Sequence, residues 1–445
     1  MRKMLSAAVL AAALTLCSCA NGSGVTTPAD TYEPTDTVTE TGVQTAADGE
    51  TTAEPDTTDG AVTDRQTEPP AERTGTPEIK GTVVTAPGEA IVYGTCEDNC
   101  ELYVSADGYS CTARSDGVYF AVPVKFSRSV NVAVSAAAEG KSKSGEVTTL
   151  IKYKKNEEDK GVTATLGSRV IEKKVLPDIT GENAFDEGEK ETVAKAAAYR
   201  VRKTAEKAGK TVKIVYILVP DPLTVYPDEL TDDMKAGIIK KNARLDQAVA
   251  ALSSVEGVTV IDLREAMRQN TDKGKLYYKL DSHWTQLGAY YGYREIMPAL
   301  GMTARPLSDF DVKYIDIDDT DINVYSGVGT GEMYESAPFV SPRFEALTPY
   351  FSGQEDTARI WSFANRFFTG MTSVEHGDPD GPTALLLFDS YGFNLIPYFA
   401  EHFGTFVTQP VWDYGVDYSL VKKYKPDYVI ELLAERDLGE LLSST

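Results

Sequence analysis

Histidine is scarce in this chain of 445 residues. It has three, His283, His376 and His402, so chemistry that needs an imidazole base has few positions to draw on. Basic residues are also short: 44 Lys and Arg face 67 Asp and Glu. The formal charge of −23 excludes nucleic acid and an anionic membrane surface as partners. The imbalance is local, because residues 20–79 hold 13 acidic residues against Arg65 and Arg73 and contribute −11 by themselves. Long apolar runs are missing beyond the N-terminus, where no segment approaches the roughly 20 residues that a membrane-spanning helix needs. Cysteine is sparse too. Beyond Cys17 and Cys19 near the N-terminus only Cys96, Cys100 and Cys111 remain, enough for one disulfide with a thiol left over. A zinc site there would need a fourth ligand and no histidine is near, so no metal is expected.

What is present begins with an address. Arg2 and Lys3 precede "MLSAAVLAAALTL", an apolar run too short to span a bilayer and typical of a secretory signal. It ends in "LCSC", where Leu16, Ser18 and Cys19 resemble a bacterial lipobox. The expected organisation starts with a signal peptide over 1–18, then Cys19 as the lipidated first residue of the mature protein. The chain is thus expected to be exported and lipid-anchored to the outer face of the cell membrane. Residues 19–78 are Thr, Ala, Asp, Glu, Gly and Pro with few large apolar side chains. Such a segment buries too little to offset its ordering entropy and is expected to be a disordered stalk.

Residues 79–153 change character. Short alternating runs such as "AIVYGT", "ELYVSA" and "VYFAVPV", punctuated by Gly, Asp and Ser, predict a small all-β, immunoglobulin-like sandwich serving as spacer or docking module. From 154 to 445 the pattern alternates between helix and buried strand. "EKETVAKAAAYRVRKTAEKAG" reads as an amphipathic helix closed by Gly209, and "TVKIVYILVP" as a strand buried on both faces. The strands "GVTVIDL", "TALLLF" and "DYVIELLAE" and the helices "TQLGAYYGYREIMPAL" and "NLIPYFAEHF" complete a doubly wound α/β pattern. Residues 302–370 are less regular, as an insertion shaping a cleft would be.

In an open α/β sheet, ligands bind where strands end and helices begin. That rule picks out "LLLFDSYGFNLIPYF", in which Ser390 lies at a strand-to-helix turn with unpaired helix N–H groups beside it. Ser390 is a candidate nucleophile, or Asp389 and Ser390 merely cap the helix. A serine needs a base. His376 lies in a polar turn and His402 inside a helix, whereas His283 follows Asp281 by two residues in "LDSHWTQLG". A helix N-terminus disfavours imidazolium, and a neighbouring carboxylate would offset that and hold the tautomer that accepts a proton from serine. The alternative is a capping cluster of Asp281, Ser282 and Thr285 around an incidental histidine.

"LDSHWTQLGAYYGY" is similar to the D-x-H-W-T signature of the SGNH hydrolase-like domain of the alginate O-acetyltransferase (AlgX/AlgJ) and DHHW proteins, with "YILVPDPLTVYPDEL", "LLLFDSYGFNLIPYFAEHF" and "YKPDYVIELLAERDL" in support. The resemblance implies a flavodoxin-like parallel sheet, Ser390 as nucleophile, His283 as general base, Asp281 as its orienting acid, and no cofactor. It further implies an O-acetyltransferase acting on a polysaccharide or oligosaccharide, with a membrane-bound acyltransferase supplying the acetyl group. A carbohydrate acetylesterase using the same residues, or a non-catalytic surface protein keeping the fold, are the alternatives. Two positions depart from the family pattern: Phe388 precedes Asp389, and no basic residue follows Ser390 closely.

Overall fold

The protein is described from a computed structural model. The structure describes residues 72–156, 158–159, 161–166, 169–230, 235, 243–318, 320–322, 332–342, 373–375, 380–411 and 415–442. The predicted signal peptide, Cys19, the stalk up to residue 71 and His376 lie outside the described residues.

Seven strands come first: β1 (Glu78–Ala86), β2 (Glu89–Thr95), β3 (Glu101–Ala106), β4 (Tyr109–Arg114), β5 (Tyr119–Lys125), β6 (Val130–Ala137) and β7 (Val147–Ile151). They form two antiparallel sheets, β1-β2-β5 and β4-β3-β6-β7, as the alternating runs predict. In β3 the period of two sends Leu102, Val104 and Ala106 inward and leaves Glu101 and Ser105 exposed. The inward residues meet Val92, Phe120, Val122, Val132 and Val134 in one core. The disulfide allowed by the sequence is not formed, because Cys96, Cys100 and Cys111 are all free thiols. Burial pushes the Cys96 thiol up to about 12 and raises the other two. That keeps the reactive thiolate scarce.

A hairpin, β8 (Val162–Leu166) with β9 (Arg169–Glu172), leads into the α/β part. Its sheet is built from β10 (Lys213–Val219) and β11 (Val258–Asp262), then, beyond a second hairpin of β12 (Phe310–Ile317) and β13 (Glu335–Pro342), from β14 (Ser373–Glu375), β15 (Thr383–Phe388), β16 (Thr405–Pro410) and β17 (Tyr428–Ala434). The order is β11-β10-β17-β15-β16-β14, parallel except for β14 at one edge. Six of the seven residues of β10 and all seven of β17 are buried, which explains the apolar run of β10; the one charge in β17, Glu431, is buried against Arg200.

Helices cover both faces. On one, α1 (Glu187–Ala208), α2 (Arg244–Ser253) and, near the C-terminus, Tyr418–Tyr424 pack Val193, Leu245, Leu252 and Leu420 against Ile214, Leu218, Leu385 and Val429. On the other, α3 (Gln286–Ala299) and α4 (Gly392–Ala400) pack Tyr293, Ile296, Ile396 and Phe399 against Ile217, Leu386, Phe388 and Ile430. Asp186 starts α1 with a capping box to Glu189, and Gly209 ends it in a left-handed turn at φ 68°. Gly392 is required by proximity, since a Cβ there would lie 2.5 Å from that of Phe388.

β10 connects outward to β11 and β15 connects outward to β16, so the winding reverses between β10 and β15, where β17 is inserted last. The carboxyl ends of these three strands are where such a sheet offers a ligand site. The β-sandwich reaches this end of the sheet: Val83, Ile91, Tyr93 and Ala121 share an apolar cluster with Leu280, Ile322 and Met333.

Candidate active site

The turn after β15 is fixed from below. Asp389 is buried, its Oδ1 accepting from Tyr391 N at 2.9 Å and its Oδ2 from Ala434 N at 2.5 Å, which ties the turn to the end of β17. Burial, then the charge of Asp437, push its carboxyl up to about 7. Asp389 thus holds the turn, and α4 has no side-chain cap at its N-terminus. Ser390 is only partly buried, and its Oγ lies 2.7 Å from His283 Nε2.

His283 stands on a loop that closes on itself. Tyr278 N donates to His283 O at 3.1 Å and Thr285 N to Leu276 O at 2.8 Å, while the Thr285 hydroxyl caps α3 by accepting from Gly288 N at 3.1 Å. Trp284 is fully buried and its Nε1–H donates to Tyr391 O at 2.8 Å. Asn394 returns a bond to Trp284 O at 2.9 Å, so base loop and serine turn are pinned together. His283 Nδ1 lies 2.6 Å from Asp281 Oδ1, which also accepts the His283 backbone N–H at 2.9 Å. With the ring proton on Nδ1, Nε2 is an acceptor for the serine hydroxyl. Burial works against a charged ring, but Asp281, by charge and hydrogen bond, and Asp321, by charge, outweigh it and hold the His283 pKa above its ordinary value. The disfavouring effect expected of the helix N-terminus does not prevail.

Three further groups complete the site. Asp321 takes the Ser282 hydroxyl and, at 3.3 Å, the Ser282 N–H on its carboxylate, while its own N–H donates to Asp281 Oδ2 at 2.9 Å. Tyr391 donates its hydroxyl to Ser282 O at 2.6 Å. Arg436, from the end of β17, donates to the same carbonyl at 2.8 Å, with its guanidinium 4.8 Å from the Tyr391 ring centre. The strand-end rule applied to β17, as it was to β15, would have found Arg436; Asp321 sits in the irregular stretch, where no rule reaches. The donor atoms of Asp281, His283 and Asp321 lie within 4.8 Å of one another, but hydrogen bonds within the loop already engage them. His402 is elsewhere, its Nε2 2.7 Å from Tyr293 Oη as a packed histidine would be.

Residues 180–323 match the family model of the SGNH hydrolase-like domain of acetyltransferase AlgX. A curated relative, the probable alginate O-acetylase AlgJ of Pseudomonas syringae pv. tomato, is 28% identical over 104 residues, 23% of this chain. The chain spans 25% of that relative's length. Among solved structures, a DHHW family protein from Eubacterium siraeum matches with a TM-score of 0.45 at 14% identity, over 70% of this chain and 95% of that one. Bacillus cereus PatB1 matches with a TM-score of 0.45 at 16% identity, over 58% of this chain and 94% of that one. Residues 180–323 are thus similar to the SGNH hydrolase-like domain of acetyltransferase AlgX, with Asp281 and His283 inside the matched segment and Ser390 beyond it.

Proposed function

We propose that this chain is an extracytoplasmic O-acetyltransferase that acts on a polysaccharide through Ser390, His283 and Asp281. The observation that carries the reading is the unbroken line of hydrogen bonds, 2.6 Å from Asp281 to Nδ1 and 2.7 Å from Nε2 to the serine hydroxyl. As Oγ attacks the acyl carbonyl, Nε2 takes the hydroxyl proton, and the imidazolium faces the Asp281 carboxylate. The tetrahedral oxyanion collapses, the donor's leaving group departs with the proton from Nε2, and Ser390 is acylated. A sugar hydroxyl then gives its proton to Nε2, attacks the acyl carbon, and Oγ recovers the proton as the new ester leaves. No cofactor enters the cycle. In this reading the backbone N–H of Ser390, at the strand-to-helix turn, donates to the oxyanion.

The names of the relatives support a sugar acceptor. Export, lipidation at Cys19, the stalk and a membrane-bound acyl donor belong to the same reading and rest on the N-terminal sequence and the resemblance. No described helix is long and apolar enough to cross a membrane.

Purified protein is expected to turn over a chromogenic acetate ester and to move acetyl to an oligosaccharide. Ser390→Ala and His283→Ala should lower both by about 10⁴-fold. Undiminished turnover in either variant defeats the reading. Free acetate without acetylated acceptor would make the protein an esterase.

A further inference from the structure

We propose that Asp321 is a positioning residue of the base: a second carboxylate that locks Asp281, Ser282 and His283 into one unit and adds its charge to the ring. The proposal rests on the triad reading given above. A carboxylate that only oriented His283 would need nothing behind it, yet both oxygens of Asp281 are spoken for. Oδ1 holds the ring and the His283 N–H, and Oδ2 is taken by the backbone N–H of Asp321 at 2.9 Å. That bond fixes the rotation of the Asp281 carboxylate about its own axis, and with it the direction in which Nε2 points.

The side chain of Asp321 then grips the intervening residue. Its Oδ2 accepts from both the hydroxyl and the N–H of Ser282 and lies 3.7 Å from His283 Nδ1, against 2.6 Å for Asp281. The segment that carries it is itself anchored. Ile322 N donates to Leu280 O at 3.1 Å, Thr320 is fully buried, and the Ile322 side chain is packed under Val83, Ile91 and Tyr93 of the β-sandwich. Asp321 therefore approaches the ring as part of a clip, and is only 16% exposed at its side chain.

Charge gives the clip a second effect. The groups that face His283 are Asp281 and Asp321, which favour imidazolium, Arg436, which opposes it, and the neutral Tyr391 and Ser390. Asp321 in turn feels Asp281 and Glu172, like charges that add to its burial, and His283 and the Ser282 hydroxyl, which partly offset them; its carboxyl is held up at about 6. Near neutral pH the ring thus faces two carboxylates, and a second negative charge stabilises the cation formed in each proton transfer.

Asp321→Asn keeps the side-chain size, an acceptor for Ser282 and the backbone N–H to Asp281, and removes the charge. It should lower kcat by up to about a hundredfold with KM unchanged. It should also move the acid limb of the pH–rate profile to lower pH, because a ring that has lost a neighbouring anion binds its proton less tightly. NMR titration of the His283 ring, one of three to assign, reads the same shift without turnover. An unchanged His283 titration together with wild-type kcat would overturn the proposal. Loss of turnover in the wild type, or its survival in Ser390→Ala, would instead remove the triad reading and leave the titration to decide for Asp321. If Asp321→Asn does not fold, Asp321→Glu displaces the charge by one methylene. It should lower kcat while the His283 pKa stays raised, and wild-type kcat there would also overturn the proposal.

Discussion

Ser390 and Asp281 stand at opposite ends of one hydrogen-bonded line, and they are held by different kinds of structure. Ser390 rides on a turn set between regular elements: β15 before it, α4 after it, and the end of β17 beside it through Ala434 N on Asp389. Asp281 belongs to a loop with no strand or helix of its own. Its neighbours are Asp321 from the insertion, Glu335 from β13, which accepts from Lys279 N at 2.9 Å and from Leu280 N at 2.5 Å, and the β-sandwich. Asp116 of the sandwich pairs with Lys275 at the loop's start and accepts from Ser336 N at 2.7 Å. The nucleophile end is thus made by regular secondary structure, and the acid end by long-range packing. The β-sandwich, which the sequence presents as a spacer, is a wall of the acid end.

The sharpest way to separate the two ends is at the acid itself. Asp281→Asn should leave Ser390 and its turn in place and lower kcat by about 10⁴-fold, since the wrong tautomer then faces serine. Its residual activity should show an acid limb shifted to lower pH, because Asp281 is the strongest of the groups that raise the ring's pKa. A variant with a wild-type rate would mean that Asp281 does not orient the base. A cavity at the sandwich wall should come next. Ile91 is fully buried against Leu280 and Ile322, and Ile91→Ala is expected to cost about 2–5 kcal/mol of stability. Amide exchange should quicken in 276–285 and 320–322 while 383–392 keeps its protection. Equal loss of protection at both ends would show that they form one cooperative unit and would end the comparison. The smallest effect is expected at Lys80, on the sandwich but exposed and, among the described residues, paired only with Glu78 at 2.7 Å. Lys80→Ala should change stability and kcat within about 0.5 kcal/mol, so that a larger change would mean the whole sandwich, rather than its inner wall, supports the site.

Much of the site was legible because its parts carry local signatures. "LLLFDSYG" is a buried strand running into a turn, and "LDSHWT" is a carboxylate and a histidine before an N-cap, each readable within ten residues. The capping alternatives resolve on single atoms. Thr285 does cap α3, yet the Asp281 oxygens go to the ring and to Asp321 N; Asp389 holds the serine turn, yet Ser390 Oγ goes to Nε2. Asp321, Arg436 and Asp116 were not legible in this way. Their partners lie 40, 154 and 159 residues away in sequence, so no local pattern shows what they bind. The free thiols of Cys96, Cys100 and Cys111 are of the same kind, because composition counts sulfurs but does not bury them.

The sequence by itself determined the elements. Periods of two and of 3.6, Gly209 and Thr285 at helix ends, and unbroken apolar runs dictate a β-sandwich followed by a parallel α/β sheet, because local sterics and burial act within a few residues. It also placed a serine at the carboxyl end of one strand and an Asp-x-His pair at the start of one helix. That Nε2 meets the serine hydroxyl across 107 residues, that a second carboxylate closes over the base, and that the sandwich braces the acid were decided by tertiary structure alone. Hydrogen bonds and ion pairs act over a few ångströms, and the distances that matter to them exist only once the sheet has brought its strand ends together.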